Sequence, residues 1–333
     1  MEYIKANEYD IYFTVNINGS VIDITELTTS ITYKTEWFTG AAGRLTATLV
    51  NDPYDPIFEI PPGSQVVLMI NDTGVFKGYA FKVEVDERDE FKITAYDQMI
   101  YLRFEDTIYT PADTASNIFA NIAGRQGANF KIRTASSHMV KEYRHKGETF
   151  YNMIKNSIIP TNMAENKQYF IRDEFGTLVF CELSNNLTDV VIGYKELATA
   201  FVYGQSISDG TYNFVKVVQD NEETGQMDMW IKYDSSTIEK WGRLPKLVEA
   251  DKEKTEAEII ALAQNLLNFH NTPRRKIKIT ALGLIGLQAA DGIRIYLPRH
   301  EIDHKVWLKT VTHNFTPNDH TMDLELFIRD IEV

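Results

Sequence analysis

The sequence lacks several features that mark whole classes of protein. Its 333 residues contain one cysteine, Cys181, which excludes a disulfide framework or a thiolate metal cage within one chain. Cys181 lies in an apolar run, so we expect a buried thiol rather than a nucleophile. No stretch of eighteen apolar residues is present to span a membrane. The N-terminal residues have neither a basic start nor an apolar signal core, so we expect no secretion by that route.

Basic residues are also scarce. The chain has 34 lysines and arginines against 47 aspartates and glutamates, for a net charge of −13. A protein that binds nucleic acid without sequence preference needs a basic surface, and this composition argues against one. The excess of acid serves either solubility or an acidic surface beside a conduit for another polyanion. A length of 333 residues and a hydrophobic content of 44% predict a globular chain of two to three domains.

The strongest positive feature is a β-pattern that occurs twice. Each copy is a meander of three alternating strands after a glycine, Gly63 or Gly292, and one further alternating strand precedes it. Strands are predicted at 44–51, 63–70, 75–85 and 91–97 in the first copy, and at 275–281, 292–297, 306–315 and 322–330 in the second. We therefore predict two related small β-barrels, at 3–108 and about 190–333.

Local signals refine this outline. Asn18-Gly19 between alternating runs predicts a tight hairpin. Thr110, followed by proline and an acid in the first turn, predicts the N-cap of a helix that ends at Gly127. A second helix is predicted after Gly147-Glu148, stopped by Pro160.

A hairpin turning at 173–176 follows, and Thr255 with Glu258 forms a capping box before a third helix at 255–270. The predicted fold class is mainly β with an α/β insert (α+β). The predicted domains are 1–108, a first hub β-barrel; 109–189, an α/β insert; and 190–333, a second hub β-barrel with a helical excursion at about 236–276.

One catalytic pattern is present: residues 300–304 match the zinc-peptidase sequence His-Glu-x-x-His. On a helix, His300 and His304 would share a face, Glu301 would activate water, and Glu325 could supply a third ligand. Predicted strands flank the pattern closely, however, and on a strand positions i and i+4 lie roughly 13 Å apart. We therefore predict a loop or strand at 300–304, and no catalytic, cofactor-binding or metal-binding residues and no cofactor. A zinc-dependent peptidase remains an open alternative.

The order of these elements resembles the baseplate hub of contractile phage tails and phage-tail-like bacteriocins. The resemblance is to the PBSX-type prophage hub, with gene-D-like late control proteins and the N-terminal half of VgrG spikes as distant relatives. It covers essentially the whole chain. The stretches that carry it are 37–49, 63–68, 75–81, 94–102, 169–178 and the closing pattern from Gly292.

The resemblance implies a structural protein rather than an enzyme. Two barrels per chain would build a ring-shaped homotrimer of pseudo-sixfold symmetry, which adapts the hexameric tail tube to a trimeric central spike. Its expected partners are the tail tube or a tube-initiator protein, the central spike, baseplate wedge proteins and the tape-measure protein, with no membrane binding. The expected location is the baseplate of a virion or tail-like particle assembled in the bacterial cytoplasm.

Two further expectations follow. The chain ends after the second predicted barrel, so any lytic domain or spike is expected on another protein. The ring is expected to enclose a polar channel with a net negative wall, which would keep a polyanionic cargo from binding. A carbohydrate-binding tail module is the other alternative, and the lack of aromatic residues grouped in one loop weighs against it.

Overall fold

The computed structural model describes residues 10–50, 60–85, 90–193, 197–208, 210–221, 226–250, 254–297, 302–317 and 319–327. Within these ranges the protein is mainly β, which confirms the predicted fold class. The strands are β1 (Ile11–Ile17), β2 (Ser20–Asp23), β3 (Thr28–Glu36), β4 (Arg44–Leu49), β5 (Gln65–Ile70), β6 (Thr73–Val85), β7 (Phe91–Tyr96), β8 (Glu105–Asp106), β9 (Tyr109–Thr110), β10 (Asp113–Thr114), β11 (Phe130–Ile132), β12 (Met139–Val140), β13 (Tyr143–Arg144), β14 (Glu148–Thr149), β15 (Tyr169–Asp173), β16 (Leu178–Glu182), β17 (Leu187–Gly193), β18 (Ala198–Ser206), β19 (Phe214–Asn221), β20 (Gln226–Tyr233), β21 (Pro245–Glu249), β22 (Arg274–Leu282), β23 (Gly292–Leu297), β24 (Ile302–Thr316) and β25 (Asp319–Phe327).

The helices are α1 (Ala115–Arg125), α2 (Phe150–Glu165), α3 (Ser235–Trp241) and α4 (Glu256–His270), with 3₁₀ turns at Gln98–Arg103 and Leu183–Asn186. The chain divides into two compact units. We call them the major unit, Met1–Phe201 with Lys278–Val333, and the minor unit, Val202–Ile277.

A 13-stranded sheet runs through most of the described strands. Its order is β18-β22-β25-β24-β3-β4-β7-β6-β5-β1-β2, and β23 pairs with both β24 and β17 beside this path. The hairpin predicted at Asn18-Gly19 is confirmed: β1 and β2 pair with Ile17 opposite Ser20, and both turn residues have positive φ. Such a turn matches the right-handed twist of the strands it joins.

The sheet contains the same strand order twice. The run β3-β4-β7-β6-β5-β1 corresponds position by position to β18-β22-β25-β24-β23-β17. In both runs the meander follows the chain, and the strand that precedes it pairs with its last member. One difference is the outermost pairing, which is antiparallel for β1 and β5 but parallel for β17 and β23. The shared order agrees with a duplicated pattern, and the division of the chain into barrel domains stays a prediction.

Strand β24 joins the two runs. Its first part pairs with β23, from Ile302 to Trp307, while its later residues from Thr310 to Phe315 pair with β3. Along its other side it pairs with β25. The ring of Phe315 is buried in the core of the first run, among residues such as Phe13, Leu45 and Phe76. A strand from the end of the chain therefore completes the core formed by its beginning.

The α/β insert packs α1 and α2 against the sheet β11-β16-β15. The hairpin between β15 and β16 is confirmed, but α1 begins four residues later than predicted. Thr110 lies on β9, and its hydroxyl contacts the carbonyl of Tyr143. Thr114 is the N-cap, accepting a hydrogen bond from the amide of Asn117 at 3.3 Å. The short ladder of β10 with β12 holds the chain extended up to that point.

Helix α2 continues through Pro160, where we predicted its end, and stops at Glu165. Proline removes one backbone hydrogen bond and crowds the preceding turn. Burial on either side opposes this cost, since Ile158 and Thr161 both lie in the interior. The hydroxyl of Thr161 also donates to the carbonyl of Ser157 at 2.8 Å. Tertiary packing therefore overrides the local signal.

Among its described residues the minor unit contains the three-stranded sheet β20-β19-β21 and the helices α3 and α4. The capping box of Thr255 and Glu258 is confirmed at the start of α4. Ile259, Ala263 and Leu267 of α4 pack on one face of the sheet. Helix α3 lies at the start of the helical excursion predicted at about 236–276, whereas strand β21 within that range was not predicted, because it is only five residues long.

Candidate functional site

Only part of the His-Glu-x-x-His pattern lies within the described residues. His300 and Glu301 lie outside the described residues, whereas His304 lies on β24 opposite Ile295 of β23. The proposed third ligand, Glu325, lies on β25 and accepts a hydrogen bond from the ammonium of Lys309 at 3.0 Å. The strand at His304 does not have the helical geometry on which this type of zinc site depends.

Other signs of a catalytic or metal site are also weak in the described part of the chain. No group of three or more His, Cys, Asp or Glu side chains there is arranged to hold a metal ion. No described helix is both long and apolar enough to cross a membrane. Cys181 is fully buried, and burial raises the pKa of its thiol to about 11, so it stays protonated and unreactive.

Cys181 belongs instead to a small core where three parts of the major unit meet. Trp37 follows β3, Phe170 and Cys181 come from the α/β insert, and Ala290 precedes β23. Trp37 and Phe170 pack edge to face with ring centroids 5.9 Å apart. This cluster holds together segments that are more than 100 residues apart in the sequence, which makes the major unit a continuous frame.

A buried ion pair reinforces the same junction. The guanidinium of Arg172 on β15 donates to Asp291 at 2.7 Å and to Glu174 at 2.7 Å. Asn186 donates to Asp291 at 2.6 Å, and the backbone amide of Gln288 donates to the other oxygen of that carboxylate. Because each buried charge has several partners, its desolvation is offset. The network holds the α/β insert to the C-terminal strands.

Two buried carboxyl groups lie at the inner side of this junction. Asp97 accepts hydrogen bonds from the backbone amides of Met99 and Gly43, and a Cβ atom on Gly43 would lie 2.3 Å from its oxygen. Burial raises the pKa of Asp97 well above its ordinary value, and the nearby Asp173 adds to the shift. Burial likewise raises the pKa of Asp173 to about 7, against a hydrogen bond from the amide of Gly176.

A histidine pair is buried between β24 and β25. Nε2 of His313 lies 2.7 Å from the carbonyl of Leu287, so it must donate there, and Nδ1 of His313 then accepts from Nε2 of His320 at 3.0 Å. Burial lowers the pKa of both rings, that of His320 to about 3. Both rings are therefore neutral at pH 7, and their hydrogen bonds stabilise the interior rather than transfer protons.

The surface offers features suited to assembly rather than to chemistry. A cleft of about 330 Å³ opens between β1 and β3, at the two ends of the first six-strand run, above the rings of Phe13 and Phe315. Strands β2 and β18 terminate the sheet path and carry exposed side chains. A strand at a sheet edge presents unpaired backbone groups that can pair with another chain. The open edges are the candidate functional surfaces of the major unit.

Sequence reasoning missed the residues that build this junction. Arg172 and Asp291 are 119 residues apart, and His313 contacts the carbonyl of Leu287, which is 26 residues away. No local pattern marks such contacts. Only the alternation of β15 could have suggested that Arg172 projects from one face of its strand.

Known proteins share both the sequence pattern and the fold. "Phage-like element PBSX protein XkdQ" of Bacillus subtilis (strain 168) is 23% identical over 293 residues, which cover 86% of this chain and 88% of that protein. The 43 kDa tail protein of prophage MuSo2 from Shewanella oneidensis superposes with a TM-score of 0.73 at 12% identity, over 96% of this chain and 98% of the other.

A component of the type VI secretion system of E. coli superposes with a TM-score of 0.54 at 8% identity, over 92% of this chain and 74% of the other. That protein is described as structurally similar to the T4 bacteriophage tail proteins gp27 and gp5. Each likeness covers more than four fifths of this chain, and together they confirm the resemblance to the PBSX-type proteins.

The chain has the fold of the prophage tail protein and of the secretion-system component with which it superposes. The chain itself belongs to the YQBQ-like family, whose sequence profile matches residues 31–327.

Proposed function

We propose that the chain is the hub of a tail baseplate, a ring of three copies that adapts the hexameric tail tube to a trimeric central spike. The observation that carries this proposal is the doubled strand order of the 13-stranded sheet. With two similar six-strand runs per chain, three copies present six similar surfaces to a hexameric tube. The other side of the ring keeps threefold symmetry for a spike.

The geometry of the major unit supports this role. β24 joins the two runs directly, so the two surfaces within one chain are held at a constant spacing. The buried network of Arg172 and the cluster around Trp37 make the frame resistant to bending. A symmetry adaptor needs such rigidity, because its two faces must keep their relation while different partners bind each of them.

Ring closure would use the open edges of the sheet. In a cyclic trimer each interface is head-to-tail, so two different surfaces of the chain meet. Strands β2 and β18 end the sheet path at opposite extremes and are therefore available for such contacts. Obligate interfaces of this kind bury on the order of 2,000 Å² or more. Pairing of the edges would also prevent uncontrolled association.

Disulfide trapping tests the ring contact. The one native cysteine, Cys181, is buried and leaves a clean background. We would introduce Val21→Cys on β2 and Ala200→Cys on β18, two exposed positions. Oxidation of the double variant should give covalent species that stop at three chains, while each single variant stays uncrosslinked. A ladder beyond three chains, or efficient dimers from one single variant, would contradict the head-to-tail ring.

In this role the expected partners are the tail tube or tube initiator, the central spike, the wedge proteins and the tape-measure protein, and no enzymatic activity is proposed. Three chains of net charge −13 together carry a net excess of about 40 negative charges. We propose that enough of them face the channel to make its wall net negative. Repulsion would act only near the wall, since the screening length at 0.15 M salt is about 8 Å. A majority of lysine and arginine among channel-facing charges would contradict this.

A further inference from the structure

An apolar groove runs beside α2, between this helix and the loop that follows β3. We call it the α2 groove, and its volume is about 220 Å³. The apolar side chains that line it include Trp37, Phe38, Tyr151, Ile158, Ile159 and Phe170. An apolar cavity of about 150 Å³ is large enough to bind benzene. The α2 groove can therefore hold one aromatic ring, whereas a helix about 10 Å across would not enter it.

The walls of the α2 groove are fixed by contacts within the chain. The hydroxyl of Tyr151 donates to the carbonyl of Phe38 at 3.3 Å. Its ring lies so close to Gly40 that a Cβ atom there would approach the ring to 2.4 Å. On the other side, the rings of Trp37 and Phe38 stack with centroids 3.8 Å apart. A ring that enters the groove thus meets a preformed site and pays little for rearrangement.

The charged residues that line the groove are Glu36 and Lys155. The carboxylate of Glu36 is already paired, since it accepts hydrogen bonds from the ammonium of Lys34 and from the hydroxyl of Thr39. Lys155 has no ion pair in the described part of the chain, and the positions three and four residues away on α2 carry no acid. The groove therefore presents one unpaired positive charge, which suits an aromatic ring with a carboxylate beside it.

Exposed side chains continue from the groove along α2. Lys155, Ile159 and Met163 follow at four-residue intervals and so share one face of the helix. Ile159 is 47% exposed and Met163 is 79% exposed. The carboxylate of Glu165, near the end of this face, already accepts hydrogen bonds from the backbone amides of residues 137–138. A small molecule in the groove would leave Ile159 and Met163 uncovered, whereas another polypeptide would cover them.

The chain itself carries a side chain of matching chemistry, Phe104. Its ring is 56% exposed, while its backbone is held by a hydrogen bond from the amide of Phe150 to its carbonyl at 3.1 Å. Two exposed acids, Glu105 and Asp106, follow it directly. Within the described ranges the carboxylate of Glu105 has neither an ion pair nor a hydrogen bond. Phe104 therefore combines an exposed ring with an unpaired carboxylate.

The other exposed aromatic side chains of the described residues do not share this combination. Apart from Phe104, only Tyr143 and Tyr233 among them have an acid next to them in the sequence. Those acids are occupied, because Glu142 accepts a hydrogen bond from the hydroxyl of Tyr109, and Asp234 is the N-cap of α3. Phe104 is thus the exposed ring of the described chain that fits both the volume and the charge of the α2 groove.

We propose that Phe104 of one copy inserts into the α2 groove of the next copy around the ring, with Glu105 beside Lys155. One aromatic ring buries about 150–250 Å², far less than the roughly 800 Å² per partner of a stable complex. The contact is therefore too small to join two free copies, and it rests on the ring proposed above to bring them together. Within the ring it fixes the register of neighbouring copies, which is the usual effect of complementary charges at an interface.

Mixed cysteine variants in assembled tails test the contact. One chain carries Glu105→Cys and the other Lys155→Cys, so a disulfide between these positions must join two copies. Oxidation of tails built from the mixture should give covalent dimers, while tails built from either variant alone should give none. A mixture of Glu105→Cys with Lys141→Cys, at another exposed lysine of the α/β insert, is the matched control and should not crosslink. Cys181 is buried and does not interfere.

Further variants test the ring and the charge separately. Phe104→Ser, added to the Glu105→Cys chain, should slow dimer formation about tenfold, because the aromatic anchor is lost. Phe130→Ser, at another partly exposed phenylalanine of the insert, should leave the rate unchanged. Without cysteines, Lys155→Glu should lower the temperature at which the ring dissociates, and Glu105→Lys in the same chain should restore it. Equal unfolding midpoints of the free chains would show that the variants keep the fold.

The outcomes separate this contact from the ring itself. Tails that hold three copies but yield no dimers would overturn the contact and leave the ring standing, whereas tails with a single copy would overturn both. A disulfide from Lys155→Cys to another tail protein would identify a different occupant and overturn the proposal. A chain with both cysteines should give covalent trimers, and products that stop at two chains would contradict a contact made around a ring.

Dimers from the mixture, their slower formation with Phe104→Ser and the restored stability of the charge-swapped chain would support the proposal.

Discussion

The major and minor units differ in how they bury the apolar faces of their strands. In the major unit, apolar side chains of β1 and β3–β7 face a shared core that also takes Phe315 from the end of the chain. In the minor unit, three strands have one face covered by α4 and the other left open. Alternating sequence produces both outcomes. The number of strands available to surround a core decides which one results.

The difference also affects rigidity. Long-range pairing and buried ion pairs give the major unit its rigidity, as a frame requires. The minor unit instead leaves methionines of β20, Met227 and Met229, exposed. The predictions below test this contrast, beginning with the largest expected effect.

Removing the ring of Phe315 should damage the major unit most. The ring is fully buried where β24 meets the first run, so Phe315→Ala should cost about 4 kcal/mol of unfolding free energy, measured by urea denaturation. Phe81→Ala, at a partly exposed ring, is the control and should cost clearly less. Hydrogen exchange should rise in β3 and β24 but not in β19. Equal losses of protection in both units would show that they do not differ as proposed.

Breaking the buried ion pair should have the next largest effect. Arg172→Ala leaves Asp291 buried without its cation, so we expect a loss of about 3 kcal/mol. The matched control is Arg294→Ala, which breaks an exposed pair with Asp303 and should change stability little. Similar losses of unfolding free energy from the two variants would mean that burial of the Arg172 ion pair does not stabilise the major unit.

Acidity should act on the major unit in two opposing ways. The pKa of His320 is lowered to about 3. Below pH 6.5 the unfolded state therefore binds more protons than the folded state, and stability falls as the pH is lowered, by up to about 1.4 kcal/mol per pH unit. The pKa of Asp173 is raised to about 7, so the folded state holds the extra proton and stability falls as pH rises from 4 to 7.

Two variants separate these contributions. His320→Gln should reduce the loss of stability on the acid side of the profile, and Asp173→Asn should remove the part of the profile in which stability falls as pH rises from 4 to 7, as measured by urea midpoints from pH 4 to 8. Asparagine can still accept the hydrogen bond from the amide of Gly176. An unchanged profile in both variants would contradict the assigned titrations.

The smallest effect should come from the helix caps. Thr255→Ala removes the capping box of α4 and should cost about 1 kcal/mol, with faster hydrogen exchange confined to the minor unit. Thr149→Ala removes the equivalent cap of α2 and should act only in the major unit. If either variant also made hydrogen exchange faster in the other unit, the two units would unfold together.

Sequence reasoning succeeded where local chemistry decides the structure. Asn18-Gly19, the capping box at Thr255 and the strands of both meanders follow from turn geometry, capping and alternation. It failed where tertiary contacts decide, as at Pro160, which packing keeps inside α2. The junction around Arg172 and the open face of the minor unit depend on pairings across the chain. A single sequence carries no local signal for them.

The central claim is that three copies of this frame form a closed ring. It is tested most directly by electron cryomicroscopy of an assembled tail tip, with the copies of this chain counted around the tail axis. The account predicts three copies related by threefold symmetry, each contributing two similar six-strand runs beneath the hexameric tube. One copy, two copies or six copies around the axis would contradict it.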